Sequence, residues 1–372
     1  MTIYESLGLK KIINASGKMT ALGASAVKKE VAEYMAQAAQ EYVEIDSLID
    51  KAGEIIASYT QAEDACVTLG AAAGIAISVA ACITKGNMKL VEQLPNSEGM
   101  QNEIIIQKGH SVNFGAPIVQ MVSLGGGRPI EVGQANKTES FHIEGAINEK
   151  TAALLFIKSH HTVQKGMVSF QAMADIAHRH NLPLIVDAAA EEDIKKYYQQ
   201  GADLVIYSGG KAIGGPTSGF ICGKRELISW CKKQYKGIGR AMKASKESIM
   251  GLLKAMELYV NEDNHAIALE NKQKMEKLAQ NLADLKNINV SIKQDEAGRE
   301  IYRAEIKIDE KAAKITAYDI IEKLKCGNPS IYVRDHYANL GIISIDPRNL
   351  KENDDEIIAD RLHEILGGIT NA

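Results

Sequence analysis

The sequence predicts an α/β fold with a large, mostly parallel sheet and a smaller second domain. Two segments carry this prediction. Residues 181–190 and 203–210 are short apolar runs that end in a polar residue or in glycine, which is the pattern of buried strands closed by loops. The chain between them has room for one helix at about 191–200. The two strands therefore form a right-handed βαβ crossover and end at the same sheet edge.

Each of these two strands leads into a residue that can carry chemistry. The first ends at Asp187, and the second is followed by Lys211 in a glycine-rich loop. In an α/β sheet, ligands bind where the carboxyl ends of strands meet. A lysine among small residues can lose its charge when it is desolvated, and an uncharged amine is what Schiff-base chemistry with an aldehyde requires.

The combination of Asp187 and Lys211 predicts a site for pyridoxal phosphate (PLP). The lysine bonds to the cofactor aldehyde, and the aspartate keeps the pyridinium nitrogen protonated so that the ring can accept electrons. Two other interpretations compete with this one. A lysine after a strand can be a solvated loop residue, and a strand that ends in aspartate can bind the metal of a phosphate-loop nucleotide hydrolase. That hydrolase needs a GxxxxGK[ST] loop, whereas Lys211 is followed by Ala212.

Composition and charge argue against several classes of protein. The 372 residues are 45% apolar and 24% charged, which is typical of a globular enzyme of two domains, and the net charge of −4 argues against a nucleic-acid partner. The five cysteines have no CxxC spacing, so we expect reduced thiols and no structural metal. Neither a membrane span nor a signal peptide is recognisable. We therefore expect a soluble, cytoplasmic protein with no membrane partner.

Hydrophobic periodicity predicts that helices and strands alternate along most of the chain. The expected helices cover 26–59 (one or two helices), 75–83, 170–180, 224–235, 248–259, 266–285, 317–324 and 356–366. The expected strands, besides the two above, cover 12–17 with its glycine turn, 103–107, 152–157, 220–222, 289–292, 303–308, 331–335 and 341–345.

Residues 68–74, with the sequence TLGAAAG, predict an anion site. Small residues open an apolar helix here, and so they present backbone N–H groups and the positive end of the helix dipole. A cofactor phosphate suits such a site, and Gly70, Ala71 and Ala72 are the candidates. The alternative is a helix start that only packs closely on the sheet.

Histidines follow two of the predicted strands. His110 comes after 103–107, and His160 and His161 come after 152–157. Adjacent histidines seldom bind one metal together and no acidic or cysteine partner is suitably spaced, so we predict no metal here. A loop over the cofactor is the better interpretation, with one of His160 and His161 donating a proton to a leaving group. For His110, a buried ring satisfied by the backbone is the alternative to a role at the cofactor.

Five motifs that span most of residues 10–250 are specific as a set. They are INASGKMTALG (13–23), TLGAAAG (68–74), VDAAA (186–190), SGGKAIGGPTSGF (208–220) and GIGRAMKASKE (237–247). Together they resemble the fold-type-I PLP enzymes, and more narrowly the branch that includes bacterial selenocysteine synthase and the D-glucosaminate-6-phosphate ammonia-lyases.

The resemblance implies a fold-type-I, aspartate aminotransferase-like architecture. An N-terminal segment (1–20) contributes to the active site and precedes a large PLP-binding domain (21–255) and a small C-terminal α+β domain (256–372). The resemblance also implies a homodimer or a larger dimer-based homo-oligomer, because sites of this fold type usually form between two subunits.

At the cofactor, the resemblance implies roles for five residues. Lys211 bonds to PLP and Asp187 faces its ring nitrogen, with Ser208 and Ala189 beside them. A histidine or an aromatic residue stacks on the ring in these enzymes, and His110 is the candidate here.

Near the substrate, the resemblance implies a set of basic and polar residues. Lys18 and Thr20 lie in the segment that crosses toward the site. Arg240 and Lys243 match basic positions that bind anionic substrate groups, although Lys243 stands where the family has an arginine. Arg334 matches the arginine that holds the substrate carboxylate, and its guanidinium suits bidentate recognition. Without the resemblance, the sequence would indicate that these basic residues are ordinary surface residues.

The implied activity is that of a PLP-dependent ammonia-lyase. The expected substrate is D-glucosaminate 6-phosphate or a similar phosphorylated D-sugar amino acid, and the products are a 2-keto-3-deoxy acid phosphate and ammonia. Selenium transfer onto seryl-tRNA is the alternative within the family. The acidic net charge argues against it, as does the early INASG strand, which leaves no room for a tRNA-gripping domain. A non-catalytic PLP-binding regulatory protein is a third possibility, which the presence of both Asp187 and Lys211 disfavours.

Overall fold

The structure is a computed structural model that describes residues 2–159, 162–295 and 299–367. The chain divides into two compact units. The large unit is Ala26–Asn261, and the small unit combines Met1–Ser25 with Glu262–Ala372. These divisions fall a few residues from the expected boundaries at 20 and 255. The sequence did not predict that the two outer segments form one unit.

Strands and helices alternate through most of the described chain. The strands are β1 (Ile12–Ala15), β2 (Asp64–Thr68), β3 (Glu103–Gln107), β4 (Arg128–Val132), β5 (Thr151–Ile157), β6 (Leu184–Asp187), β7 (Leu204–Ser208), β8 (Gly219–Gly223), β9 (Ile288–Gln294), β10 (Tyr302–Ile308), β11 (Ser330–Val333) and β12 (Ile342–Ile345). The α-helices are α1 (Lys29–Gln40), α2 (Ile45–Thr60), α3 (Ala71–Thr84), α4 (Met88–Gln93), α5 (Ile118–Leu124), α6 (Ser140–Glu144), α7 (Phe170–Arg179), α8 (Lys196–Gln199), α9 (Arg225–Lys233), α10 (Lys246–Asn261), α11 (Asn264–Asn281), α12 (Glu310–Ala313), α13 (Ala317–Cys326) and α14 (Asp354–Gly367).

The large unit is built on a seven-stranded sheet with the order β2-β8-β7-β6-β5-β3-β4. All strands are parallel except β8, which runs antiparallel to both β2 and β7. Every residue of β3, β5 and β6 is buried, as is usual for strands covered by helices on both faces. The apolar runs of the sequence therefore become the centre of the sheet, and the α/β fold class is confirmed.

The strand directions bring six loops to one edge of this sheet. All strands except β8 run the same way, so the chain leaves all six of them at their common carboxyl edge. The loops there carry the residues that the sequence singled out, from Gly70 to Lys211. The crossover between β6 and β7 was predicted correctly.

The helix expected over 191–200 was wrong in its extent. Only α8, Lys196–Gln199, is helical. The Asp193 carboxylate accepts hydrogen bonds from the backbone N–H groups of Lys195 (3.0 Å) and Lys196 (3.1 Å), and Glu191 N–H donates to Ala188 O at 3.0 Å. These local turns replace the first half of the expected helix, since aspartate side chains compete with the backbone for such hydrogen bonds.

The small unit contains two sheets. Strands β12, β10 and β9 form an antiparallel sheet whose buried residues pack with those of α11, α13 and α14 in one core. Strand β1 pairs in parallel with β11, from Ile12 opposite Ser330 to Ala15 opposite Val333. This pairing ties the N-terminal segment to the C-terminal part of the chain.

In the part of the chain that the structure describes, no helix combines the length and the apolar character that crossing a bilayer requires. All five cysteines are free thiols, and four of them are buried.

Candidate active site

Asp187 and Lys211 lie together at the carboxyl edge of the large sheet. The Asp187 carboxyl is 6% exposed, and its burial raises the pKa to about 6. The positive charge of Lys211 opposes this increase, as does the Ala189 N–H, which donates to Asp187 Oδ1 at 3.1 Å. Asp187 and Lys211 are separated by residues 188–210 in the sequence. Their opposite charges nevertheless interact, because the two residues lie at the ends of neighbouring strands.

The loop that carries Lys211 is fixed by backbone hydrogen bonds. Gly209 N–H donates to Ser218 O at 2.8 Å, and Gly215 N–H donates to Gly209 O at 2.7 Å. A Cβ atom at Gly209 would lie 2.2 Å from Ser218 Oγ, so no larger residue can take its place without moving the loop. The glycines that flank the lysine thus allow a tight turn over the start of β8.

Ser208 and Ala189 belong to the same edge. Ser208 is the last residue of β7 and is half-buried, and its N–H donates to Ala189 O at 3.3 Å. Together with the hydrogen bond from Ala189 N–H to Asp187, this contact links the loops after β6 and β7. The two loops that would face a cofactor ring are therefore joined to each other.

The N-terminus of α3 has the features of an anion site. Helix α3 begins at Ala71, is 14 residues long and has no side-chain cap. Gly70, Ala71 and Ala72 are only half-buried, and a Cβ atom at Gly70 would meet nothing within 4 Å. The Thr68 hydroxyl donates to Gly70 O at 2.9 Å and fixes the turn into the helix. Backbone N–H groups at this end are available to a phosphate.

The segment with Arg240 and Lys243 adjoins the start of α3. Leu69 N–H donates to Met242 O at 3.1 Å, and both basic side chains are exposed. The third basic residue of this segment has a different role. Lys246 Nζ donates to Ala39 O at 3.0 Å and contacts further carbonyls at the end of α1, so it caps that helix.

His110 is completely buried after β3. Its Nδ1 accepts a hydrogen bond from Ile157 N–H at 3.2 Å, and its ring packs edge-on against Phe156 with the centroids 4.7 Å apart. Burial and the positive charge of Lys158 lower its pKa to about 4, so the ring is neutral at pH 7. Its Nε2 is buried and forms no hydrogen bond with any described residue.

The His110 ring contributes to a cavity of about 400 Å³ whose wall also includes Phe156, Phe170 and Tyr197. Neither Asp187 nor Lys211 lines this cavity. The stacking of His110 on a cofactor ring therefore stays a prediction. His160 and His161, the predicted proton donors, lie outside the described residues.

The predicted substrate residues of the small unit lie near one another. Strands β1 and β11 are parallel and in register, so Lys18 and Thr20 follow one strand where Arg334 follows its neighbour. Arg334 is half-buried, and Thr20 is exposed. The pKa of Arg334 is lowered, first by burial and then by the charge of Arg303, whereas the Asp346 carboxylate acts in the opposite direction.

Three residues beside Arg334, namely Arg303, Asp346 and Arg348, were not predicted from the sequence. Asp346 is fully buried and accepts hydrogen bonds from Arg303 Nε at 2.8 Å and from Arg348 Nε at 2.9 Å. These charges come from β10 and from the segment after β12, and no local motif links them. Only the spacing of Asp346 and Arg348 in the sequence DPR offered a signal.

The residues present in the large unit fit PLP. A lysine amine, a buried carboxylate and an uncapped helix N-terminus match the aldehyde, the ring nitrogen and the phosphate of this cofactor. The pKa of Asp187 is raised because the positive charge of Lys211 offsets only part of the cost of burying the carboxylate. Such a pKa is expected for a group that pairs with a ligand. Among the described residues, no group of three acidic, histidine or cysteine side chains could bind a metal.

The sheet order, the antiparallel β8 and the lysine and aspartate at one edge define the class of the fold-type-I PLP-dependent enzymes. A ureidoglycine–glyoxylate aminotransferase from Bacillus subtilis has the same fold, with a TM-score of 0.61 and 13% identity over 97% of this chain and 94% of that chain. More narrowly, the chain belongs to the L-seryl-tRNA selenium transferase family, whose sequence profile matches residues 12–325.

Two relatives cover nearly the whole chain. A D-glucosaminate-6-phosphate ammonia lyase from Salmonella typhimurium is 46% identical over 98% of this chain and 97% of its own length. A 5'-C-glycyluridine monooxygenase-decarboxylase from a Streptomyces species is 41% identical over 98% of this chain and 92% of its own length. A solved structure of a D-glucosaminate-6-phosphate ammonia-lyase has a TM-score of 0.94 and 45% identity over 100% of this chain and 99% of that chain.

Proposed function

We propose that the protein is a PLP-dependent ammonia-lyase that acts on D-glucosaminate 6-phosphate or a similar phosphorylated D-sugar amino acid. The observation that carries this proposal is the proximity of Asp187 and Lys211 at the sheet edge. The sequence identity of 46% to the Salmonella lyase, over almost the full length of both chains, supports the choice of substrate.

In this proposal, the large unit holds the cofactor by three groups. Lys211 bonds to the aldehyde, Asp187 pairs with the ring nitrogen, and the N–H groups at Gly70, Ala71 and Ala72 bind the phosphate. When bound, PLP supplies an electron sink for the electron pair released at the substrate Cα. A protonated ring nitrogen would also supply the countercharge that the buried Asp187 carboxylate lacks, and this would stabilise the ionised form of the carboxylate.

Lys211 would have a second task beside the bound substrate. Its Nζ would remove the Cα proton, so the lysine would act as the general base. The 3-hydroxyl then leaves as water with the help of an acid, for which we propose His160 or His161. In total, the substrate would lose one water and take up one water, and the products would be a 2-keto-3-deoxy acid phosphate and ammonia.

Charged groups of the substrate need cationic partners. We propose that Arg334 binds the carboxylate through its guanidinium fork. For the distal phosphate the candidates are Lys18, Arg240 and Lys243, with Thr20 near the substrate. We also propose a homodimer or a larger dimer-based assembly, a cytoplasmic location in keeping with five free thiols, and no nucleic-acid partner.

The Streptomyces relative supports a second candidate. Its name describes an oxygen-consuming decarboxylation, and at 41% identity it is nearly as similar to this chain as the lyase is. The two reactions differ in their products, because the lyase keeps the substrate carboxylate whereas a decarboxylase loses it. Selenium transfer to seryl-tRNA is the remaining enzymatic alternative, and binding of tRNA in a salt-dependent gel shift would support it.

The deciding experiment measures keto acid and ammonia released from D-glucosaminate 6-phosphate, with oxygen and carbon dioxide followed in parallel. Wild type, Lys211→Ala and the exposed control Lys89→Ala are compared. Equal amounts of keto acid and ammonia from wild type and the control, and none from Lys211→Ala, are the expected result. Oxygen uptake with carbon dioxide release would favour the second candidate, and turnover by Lys211→Ala would overturn the role of the lysine.

A further inference from the structure

The Asp346 carboxylate is the centre of a charged cluster in the small unit. Its two oxygens accept hydrogen bonds from Arg348 in fork geometry, from Nε to Oδ1 and from Nη2 to Oδ2, both at 2.9 Å. Oδ2 also accepts from Arg303 Nε at 2.8 Å. Arginine–carboxylate pairs of this kind are both strong and directional. The cluster therefore fixes the orientation of two guanidinium groups around one fully buried anion.

The same aspartate holds the N-terminal turn. Asp346 N–H donates to Ala15 O at 2.8 Å. Gly17, which adopts a φ of +90°, passes so close that a Cβ atom there would lie 3.0 Å from Asp346 Oδ2 and 3.2 Å from Arg348 Nη2. A side chain at this position would be strained by the backbone conformation and crowded by the ion pair. The turn that precedes Lys18 is thus built against the cluster.

Arg334 is the arginine of this cluster to which no carboxylate of the described chain is bound. Its backbone exchanges hydrogen bonds with Ser344 at 2.9 and 3.1 Å, two residues before Asp346. The charges of Arg303 and Arg348 act on its guanidinium, but no described residue forms a hydrogen bond or an ion pair with that group. A second carboxylate, Asp295, accepts from Arg303 Nη1 at 2.8 Å, so Arg303 is held on both sides.

We propose that Asp346 is a positioning residue for carboxylate recognition, an inference that rests on the proposed function of Arg334. By binding Arg303 and Arg348, Asp346 prevents them from competing for the incoming carboxylate and leaves Arg334 to receive it. It also fixes the turn at Gly17 next to this site. Burying a charged aspartate is unfavourable unless strong partners surround it, and an apolar residue is often as stable at such a position. We therefore infer that the charge of Asp346 serves to hold the arginine side chains in a defined orientation.

The test compares the binding of two ligands to the PLP-loaded protein. D-glucosaminate 6-phosphate carries the carboxylate, whereas 2-amino-2-deoxy-D-glucitol 6-phosphate has a hydroxymethyl group in its place. Asp346→Asn is expected to weaken binding of the first ligand about tenfold and to leave binding of the second unchanged. Asp309→Asn, the same substitution at the exposed N-cap of α12, is the matched control and is expected to change neither affinity.

Arg348→Lys provides a second variant in case Asp346→Asn fails to fold. It keeps the charge and loses the fork, and we expect a weaker but equally carboxylate-specific loss of affinity. Equal weakening of both ligands in these variants would overturn the positioning role, because a general structural defect does not distinguish them. If Arg334→Gln weakens the carboxylate ligand but Asp346→Asn does not, the positioning role fails and the proposed function stands. If Arg334→Gln has no effect either, both fail.

Discussion

Asp187 and Lys211 follow neighbouring strands of the large sheet, and the charge of the lysine lowers the pKa of the carboxyl while burial raises it to about 6. The carboxyl is thus buried more completely than one lysine can compensate. Such a group reduces stability in the cofactor-free chain, and in the proposed function a protonated ring nitrogen would supply its missing partner.

The first prediction follows from the sign of this shift. Between pH 4 and pH 6, the folded chain keeps a proton at Asp187 that the unfolded chain has lost, so this group favours folding at low pH and loses that effect as the pH rises through 6. We expect Asp187→Asn to abolish turnover. At pH 7 it should also stabilise the cofactor-free protein, by up to about 3 kcal/mol.

Urea unfolding of the cofactor-free protein at pH 4 and pH 7 checks this expectation. The difference between variant and wild type should be small at pH 4 and larger at pH 7. A variant that is less stable than wild type at both values would show that Asp187 is held by partners other than the cofactor.

The second prediction concerns the N-terminus of α3, where a negative side chain should compete with the cofactor phosphate. Ala72→Glu is expected to weaken PLP binding about tenfold or more, whereas Ala72→Gln, of almost the same shape, should have a much smaller effect. Neither variant should unfold the protein, because acidic residues in the first turn favour a helix. Equilibrium dialysis with PLP measures the affinities, and equal values for the two variants would place the phosphate elsewhere.

A third prediction addresses the basic segment of Arg240 and Lys243, which contacts the loop before α3. We expect Arg240→Gln to raise the KM for D-glucosaminate 6-phosphate about tenfold and to leave the KM for unphosphorylated D-glucosaminate unchanged. Lys246→Gln is the contrasting variant, because Lys246 caps α1 and its loss should lower thermal stability without changing this ratio. If Lys246→Gln changed the KM and Arg240→Gln did not, Lys246 and not Arg240 would be the residue that binds the substrate phosphate.

The fourth prediction is a pH dependence in the small unit. Burial alone would raise the pKa of Asp346, but the charges and hydrogen bonds of Arg348 and Arg303 hold it well below the usual range. A lowered pKa means that the stabilisation is fully present above about pH 4 and is lost progressively as the pH falls from there toward the lowered pKa of the folded state. Asp346→Asn should therefore cost about 3 kcal/mol at pH 7, and this cost should decrease as the pH is lowered through 3. Unfolding curves at pH 7 and pH 3 decide this, with Asp309→Asn as the matched control.

The sequence by itself determined the central strands of the large sheet and predicted where its chemistry lies, whereas β2 and β4 were not predicted as strands. Fully buried strands such as β5 and β6 appear as uninterrupted apolar runs, and parallel strands bring their carboxyl ends together, so Asp187 and Lys211 could be paired from local patterns alone. The glycines around Lys211 and the small residues before α3 are likewise local signals, because each marks a conformation of its own few residues.

Only the tertiary structure decided the small unit and its charged cluster. The pairing of β1 with β11 joins segments from opposite ends of the chain, and Arg303, Asp346 and Arg348 meet through the packing of separate strands and not through any periodicity. The burial of His110 in the large unit was likewise decided by tertiary structure, because the ring packs against Phe156 of the neighbouring strand. Periodicity reports which face of an element is buried, whereas the identity of the group across from that face is set by contacts between residues far apart in sequence.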